Sequence, residues 1–236
     1  MNRDELSSLA QIEEKHWWFK ERRELLRNWA LTFKASSKFL DIGAGVGRQS
    51  LLLRDELGMQ VTAIELSDFG VTACLKENLN VIQVSATHLP LLSESFDAVI
   101  AMDVLEHIEE DGKVLNEIER VLKLNGSFFI TVPSFPFMWS DHDEAVGHVR
   151  RYTKSDLVDK IERSGLTIIS VRYWNSLLFP LAIISRFLFR NGADLKMPPA
   201  LVNSIFFYVV SKERVSSFIG RLPGTSLLIK AVKQPR

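Results

Sequence analysis

The chain has 236 residues, of which 46% are hydrophobic and 25% charged. That is ordinary globular composition and excludes a disordered or low-complexity chain. Twenty-nine Lys and Arg balance 29 Asp and Glu, so no net basic charge points to nucleic acid. The lone cysteine, Cys74, excludes a disulfide framework and a cysteine-rich metal site and fits a reducing, cytoplasmic setting. The first residues, MNRDELSSLAQIEEKHWW, are polar and acidic, unlike a signal peptide. Charge is unevenly spread. From Arg186 onward nine basic residues accompany two acidic ones, a net +7 against −7 before that point, and such a split marks a possible surface for an anionic partner.

In chain order, Glu5 to Phe33 has the apolar spacing of a helix, and Lys38 to Ile42 is a short buried strand running into a glycine loop. Arg48 to Leu57 is helical, Met59 to Leu66 is a β-branched strand, Asp68 to Glu77 is helical, and Asn80 to Val84 is a strand. Phe96 to Met102 is a strand. Asp111 to Leu122 is a helix that Asn125-Gly126 separates from a strand over Ser127 to Val132. Thr153 caps a helix reaching Ser164, and Leu166 to Tyr173 is a strand. Strands alternating with helices predict a parallel sheet covered on both faces. The last fifty residues differ: LLFPLAIISRFLF and IFFYVV are strongly apolar but too short to span a bilayer. Met197-Pro198-Pro199 links them, and Ser226 to Val232 forms a final strand. No internal repeat is present.

The chemistry-bearing signal is FLDIGAGVG at residues 39 to 47. Glycines at a strand end permit a tight turn and close approach of backbone to ligand. Their spacing is Gly43-x-Gly45-x-Gly47, and Arg48 stands where a dinucleotide fingerprint places its third glycine. Asp41, beside the loop, repels phosphate and suits an ammonium group. Glu65, 24 residues further on at the next strand end, suits the hydroxyls of a ribose. The ligand so described carries a ribose and a cation but no diphosphate.

The stretches LDIGAGVG, VTAIELS, THLPLLSESFDAVIAMDVLEHI and NGSFFITVPS, over roughly residues 38 to 134, resemble the class I S-adenosylmethionine-dependent methyltransferases. The flanks HWWFKERR and SDHDEAVGHVRRYT look like a subgroup of small bacterial members. The resemblance implies a Rossmann-like α/β three-layer sandwich with strand order 3-2-1-4-5-7-6 and an antiparallel seventh strand. It implies a helical cap at 1–36, a cofactor-binding core at 37–174, a helical insertion at 175–225, and a last strand and tail at 226–236. Asp41, Gly43, Ala44, Gly45 and Gly47 would hold the methionine moiety, with Arg22 or Arg23 meeting its carboxylate. Glu65 would hold the ribose and Leu66 would lie against adenine. Ser85 stands where the family usually has Asp at the adenine amino group, beside Ala86 and Thr87. Met102 and Asp103 would face the reacting methyl.

Such a methyl transfer is a direct displacement, so alignment is the protein's main task and supplies about 7–11 kcal/mol in favourable cases. A protonated nucleophile needs a base, and His142, Asp143 and His148 are the expected groups, with Asp143 orienting a histidine. Arg150, Arg151 and Tyr152 offer contacts to an acidic acceptor or a solvated pair before a helix. Asp103, Glu106 and His107 resemble the metal-binding segment of quinone-ring O-methyltransferases, an alternative to a local pairing that opens a helix. Trp17, Trp18 and Phe19 read as a core-capping cluster, His16 and His88 as structural, and Cys74 as a packed apolar residue. The insertion is either a lid of two helices over a small-molecule acceptor, or an amphipathic patch at 177–219. The patch would lie on the inner membrane face, with Arg186, Arg190, Lys196 and Lys212 toward anionic headgroups. The competing functions are a nicotinamide-dependent reductase, disfavoured by Arg48 and Asp41, and a non-catalytic nucleoside-binding protein.

Overall fold

The computed structural model describes residues 12–188, 197–216 and 218–235. Its strands are β1 (Lys38–Ile42), β2 (Gln60–Glu65), β3 (Asn80–Gln83), β4 (Phe96–Met102), β5 (Leu122–Pro133), β6 (Leu166–Trp174) and β7 (Ser226–Lys233). They form one seven-stranded sheet in the order β3-β2-β1-β4-β5-β7-β6. The first five pair in parallel, and β7 runs antiparallel between β5 and β6. This is the α/β topology expected from the sequence. The helices are α1 (Trp17–Ala30), α2 (Arg48–Leu51, widening into a π turn at Leu52–Glu56), α3 (Asp68–Lys76), α4 (Asp111–Val121), α5 (Asp141–Ala145), α6 (Lys154–Arg163), α7 (Phe179–Leu188) and α8 (Ala200–Val215).

Period-two alternation along the strands divides the core between the two sheet faces. On β4, Val99 and Ala101 meet Val114, Leu115 and Ile118 of α4 and Leu157 and Ile161 of α6. The alternate residues Ala98, Ile100 and Met102 meet Leu26, Trp29 and Ala30 of α1 and Leu52 and Leu53 beyond α2. Trp29 stacks on Phe129 of β5, with ring centroids 5.0 Å apart. Each face is therefore sealed by helices whose apolar stripe follows their own 3.6-residue period.

Two expected boundaries move. The N-terminal helix was expected from Glu5 to Phe33. Glu5 to Gln11 lie outside the described residues, and α1 begins only after His16, whose Nδ1 accepts from Trp18 N–H at 3.2 Å and caps the helix. The Asn125-Gly126 break does not end the strand. β5 runs unbroken from Leu122 to Pro133, and the extra residues are absorbed where pairing to β4 skips from Phe96↔Leu122 to Ala98↔Ser127, with Asn125 at φ 63°.

After β6 the chain makes α7 and α8 before returning as β7. α8 packs on α1. Trp17 meets Phe206 at 5.6 Å, the Asn203 amide oxygen accepts from Trp17 N–H at 2.9 Å, and Arg214 pairs with Glu21 at 2.8 Å. Phe189, Arg190 and Lys196 lie outside the described residues. Three cations of the basic C-terminal part meet acids of the earlier part: Arg186 with Asp143, Arg214 with Glu21 and Glu24, and Lys233 with Glu119 and Glu94. Among the described residues no helix is long and apolar enough to cross a membrane.

Candidate functional site

All the functional candidates from the parallel strands sit at one edge of the sheet, the carboxyl ends of β1, β2, β4 and β5, where open α/β sheets hold ligands. The loop after β1 turns through Gly43, Gly45 and Gly47, all at positive φ (69°, 57° and 83°). They do different jobs. A side chain at Gly47 would strike Leu79 Cδ1 at 2.5 Å, so this glycine lets the loop pack on the core. A side chain at Gly45 would meet no atom within 4 Å, so this glycine leaves open space above the backbone.

Two carboxylates frame the loop. Asp41 is buried, and its Oδ2 accepts from the Ser50 hydroxyl at 2.6 Å. Burial pushes its carboxyl up to about 7, against the opposing effects of that hydrogen bond and the Arg22 charge. Glu65 is held at the β2 tip. Its Oε2 accepts from Gly45 N–H at 2.8 Å, and its Oε1 accepts from the Ser67 N–H and hydroxyl at 2.8 and 2.7 Å. Oε2 thus has one lone pair left for a further donor. Next to it Leu66 is 68% exposed, although apolar. Ser85, Ala86 and Thr87 follow β3, where the Ser85 and Thr87 hydroxyls lie 2.8 Å apart and Ala86 is buried. Cys74 packs under the loop with its Sγ 3.6 Å from Gly45 O. Burial raises its thiol to about 12, so it stays protonated.

The same loop opens into a cavity of about 390 Å³. Asp41, Gly43, Ala44, Gly45, Met102 and Asp103 line one end of it. Asp103 holds a left-handed backbone, φ 56°, at the β4 tip, the kind of local strain that collects at functional sites. Its Oδ1 accepts from the Thr131 hydroxyl at 3.0 Å, and its Oδ2 accepts from Arg22 Nη1 at 2.6 Å. Arg22 therefore reaches into the cavity from α1. Arg23, expected to share that role, points away and donates to the carbonyls of Glu13 and Glu14 at 2.9 and 3.1 Å. Successive helical residues diverge by about 100°, so only one of two adjacent arginines can face the loop. Gly47, Glu65, Leu66, Ser85, Ala86 and Thr87 lie at the strand tips outside the cavity wall.

The other end of the cavity is polar and comes from two stretches of chain. Glu106 and His107 follow β4, and His142 and His148 come from the stretch between β5 and α6. Asp143 is fully buried behind His148 and accepts from His148 Nδ1 at 2.8 Å, from Arg151 Nε at 2.7 Å and from Arg186 Nη1 at 3.0 Å. These partners outweigh burial and hold its carboxyl well below the usual range. The expected Asp143–His148 pair is thus formed, while Asp143 also anchors α7 through Arg186. Glu106 is fully buried, and burial with the nearby Asp103 charge pushes its carboxyl well up. Burial and the His148 charge lower His107 to about 4. Arg150 does not reach the cavity. It pairs with Asp111 and Glu109, and buried Tyr152 lies 2.8 Å from Asp111 Oδ2, so both brace the loop.

Trp17, Trp18 and Phe19, expected from the sequence to cap the core, line the cavity instead. Trp18 packs on Trp174 at 4.3 Å, and Trp18, Asn175 and Ala182 close the cavity from α1, the β6 tip and α7. Asn175 turns the chain at the end of β6 with φ 58°, a left-handed conformation that an Asn tolerates.

Residues 40–130 match the family model of the methyltransferase domain. A sarcosine/dimethylglycine N-methyltransferase of Aphanothece halophytica is 28% identical over 116 residues, 46% of this chain and 40% of the relative. A ubiquinone biosynthesis O-methyltransferase of Caulobacter vibrioides is 35% identical over 98 residues, 39% of this chain and 38% of the relative. The chain thus spans less than half the length of these curated relatives. The solved phosphoethanolamine N-methyltransferase 2 of Haemonchus contortus, in complex with S-adenosyl-L-methionine, shares the fold. Its TM-score is 0.59 at 19% identity, covering 88% of this chain and 53% of that one. The strand order and glycine loop give the chain the Rossmann-like methyltransferase fold, and its segment 40–130 matches the methyltransferase domain.

Proposed function

We propose that the protein moves a methyl group from S-adenosylmethionine to a small-molecule acceptor held in the cavity. The observation that carries this is the continuity of that cavity. One space of about 390 Å³ joins the Gly43–Gly45 loop and Asp103 to the polar wall of Glu106, His107 and His148. Donor and acceptor then meet without crossing solvent, at a size that suits a small ligand.

The residues fit the donor. Open space over Gly45 receives its chain, the spare lone pair of Glu65 takes a ribose hydroxyl, and exposed Leu66 is covered by the adenine. Ionised Asp41 takes the ammonium group. Arg22 exchanges part of its bond with Asp103 for the methionine carboxylate. The bound donor supplies an already activated methyl on a sulfonium, so the chain's own work is to align the acceptor and keep water out. α7 acts as the lid, because its Ala182 and Arg186 already form part of the wall. The acceptor's polar hydrogen is directed at the side of the cavity where Asp143 fixes the His148 ring.

Calorimetry with S-adenosylhomocysteine tests the reading. The wild type binds, and Asp41→Ala and Glu65→Ala each lose binding. Unchanged affinity in both variants, or thermal stabilisation by NAD and not by S-adenosylhomocysteine, overturns it. A mass-spectrometric screen of cell extract for a gain of one methylene identifies the acceptor.

A further inference from the structure

Glu106, His107 and His148 meet on the cavity wall in an arrangement that hydrogen bonding does not satisfy. Glu106 is fully buried, and neither of its carboxylate oxygens has a hydrogen-bond partner. His107 Nδ1 lies 3.1 Å from the carbonyl oxygen of Gly147, and His148 Nδ1 lies 2.8 Å from Oδ1 of Asp143. A carbonyl or carboxylate oxygen cannot donate, so both Nδ1 atoms carry the hydrogen, and Nε2 of each ring is the atom left to bind a cation. His148 Nε2 stands 3.9 Å from Glu106 Oε1, too far for a hydrogen bond. One ligand atom from each of the three residues lies within 4.8 Å of the others. With Glu106 ionised, the cluster gathers three acceptors with no donor between them.

We infer that Glu106, His107 and His148 bind one divalent first-row transition-metal cation, of the Zn²⁺, Co²⁺ or Mn²⁺ class, with a coordination position open toward the cavity. Two imidazoles and one carboxylate select such ions over Mg²⁺ and Ca²⁺, which prefer all-oxygen sites. Tetrahedral donors about 2.1 Å from one ion stand about 3.4 Å apart, so side-chain movements of about an ångström close the site. The supporting shell is in place: Asp143 orients His148 and the Gly147 carbonyl orients His107, as outer groups do around bound metals. Asp143 is itself pinned by Arg151 and Arg186. Asp103, which the sequence alone put with Glu106 and His107, lies outside this three-residue cluster, and its oxygens accept from Arg22 and Thr131 instead. Use of the ion in the reaction rests on the cavity being the acceptor site. An acceptor oxygen, as in a phenol, enol or carboxylate, then takes the open position. Binding of the ion does not depend on that reading.

The test uses untagged full-length protein, stripped with chelator and titrated with Co²⁺ by visible absorption and with Zn²⁺ by calorimetry. The expected result is one equivalent bound per chain, with visible bands of a nitrogen- and oxygen-ligated Co²⁺ and a raised melting temperature. Glu106→Gln and His148→Ala weaken binding at least about 100-fold, and Asp143→Asn weakens it about 10- to 100-fold through the outer shell. Asp103→Asn leaves it unchanged. Without metal, Glu106→Gln melts no lower than the wild type, since it replaces an unpartnered buried carboxylate by a neutral amide, so its loss of metal is not a loss of fold. Absence of saturable binding by the wild type overturns the inference. So does equal affinity in Glu106→Gln and His148→Ala, or loss of binding in Asp103→Asn. S-adenosylhomocysteine binding measured on the same metal-free samples reports separately on the donor site.

Discussion

Asp41 carries the sharpest consequence at the scale of single residues. Its folded value of about 7 lies above the roughly 4 of an unfolded aspartate, so the folded chain holds this proton longer. Asp41 therefore lowers stability progressively as pH rises from about 4 to about 7, and no further above that. A ligand bearing an ammonium group selects the ionised form. The affinity for S-adenosylhomocysteine should thus rise by up to about tenfold per pH unit below 7 and level off above it, and Asp41→Asn should remove that slope. Calorimetry between pH 5.5 and 8.5 checks this, and a flat wild-type profile refutes it. The glycines give a second contrast. Gly45→Ala and Gly47→Ala both force alanine into positive φ, at about 1–2 kcal/mol. Only Gly47→Ala also drives a methyl into Leu79, so denaturant melts should show it to be less stable than Gly45→Ala by about 1 kcal/mol or more. Gly45→Ala should stay folded and lose ligand affinity instead. The acids at the strand tips and the glycine loop were legible in the sequence because they lie within one strand–loop–helix unit. The choice between Arg22 and Arg23 was not, because it depends on how α1 is rotated against the sheet, which no local pattern encodes.

Among the elements, the contact of α1 with α8 matters most, because these helices bring the aromatic roof over the cavity. Its centre is Glu21, fully buried and paired with Arg214 at 2.8 Å. Burial raises Glu21 to about 7, against the Arg214 charge, with Glu24 and Glu213 adding repulsion. Removing one partner of a buried pair costs about 3–5 kcal/mol, and the partial exposure of Arg214 puts Arg214→Ala near or below the lower end of that range. Glu21 protonates below about pH 7, so the loss should be larger at pH 8 than at pH 6. Urea melts at the two values test this, and a pH-independent loss would sink it. Sequence periodicity located α4, α6 and six of the seven strands to within a few residues, because each has a strong apolar face or a buried run. It misjudged β5, where an Asn-Gly pair that normally makes a turn is taken up as an irregularity in a paired strand. Turn chemistry is local, whereas the pairing that overrode it comes from β4.

At the scale of the whole molecule, the sheet has two halves with different histories. β1 to β5 assemble from neighbours in sequence through parallel crossovers. The β5–β6 side closes only when β7, about fifty residues beyond β6, slides between them and pairs with both. Deleting residues 226–235 should therefore abolish cooperative unfolding rather than trim an edge. Near-UV circular dichroism and a urea melt of the truncated chain check this, and a sharp transition at wild-type denaturant concentration contradicts it.

That insertion sets a schedule for biogenesis. A chain still on the ribosome can bring β1 to β5 together, because structure forms from the N-terminal side during synthesis, but cooperative folding waits for β7. The wall that Arg186 completes and the roof over the acceptor must wait for the final strand to emerge. On the proposed function, the loop that would take the donor is thus in place along the chain before the wall that would select an acceptor.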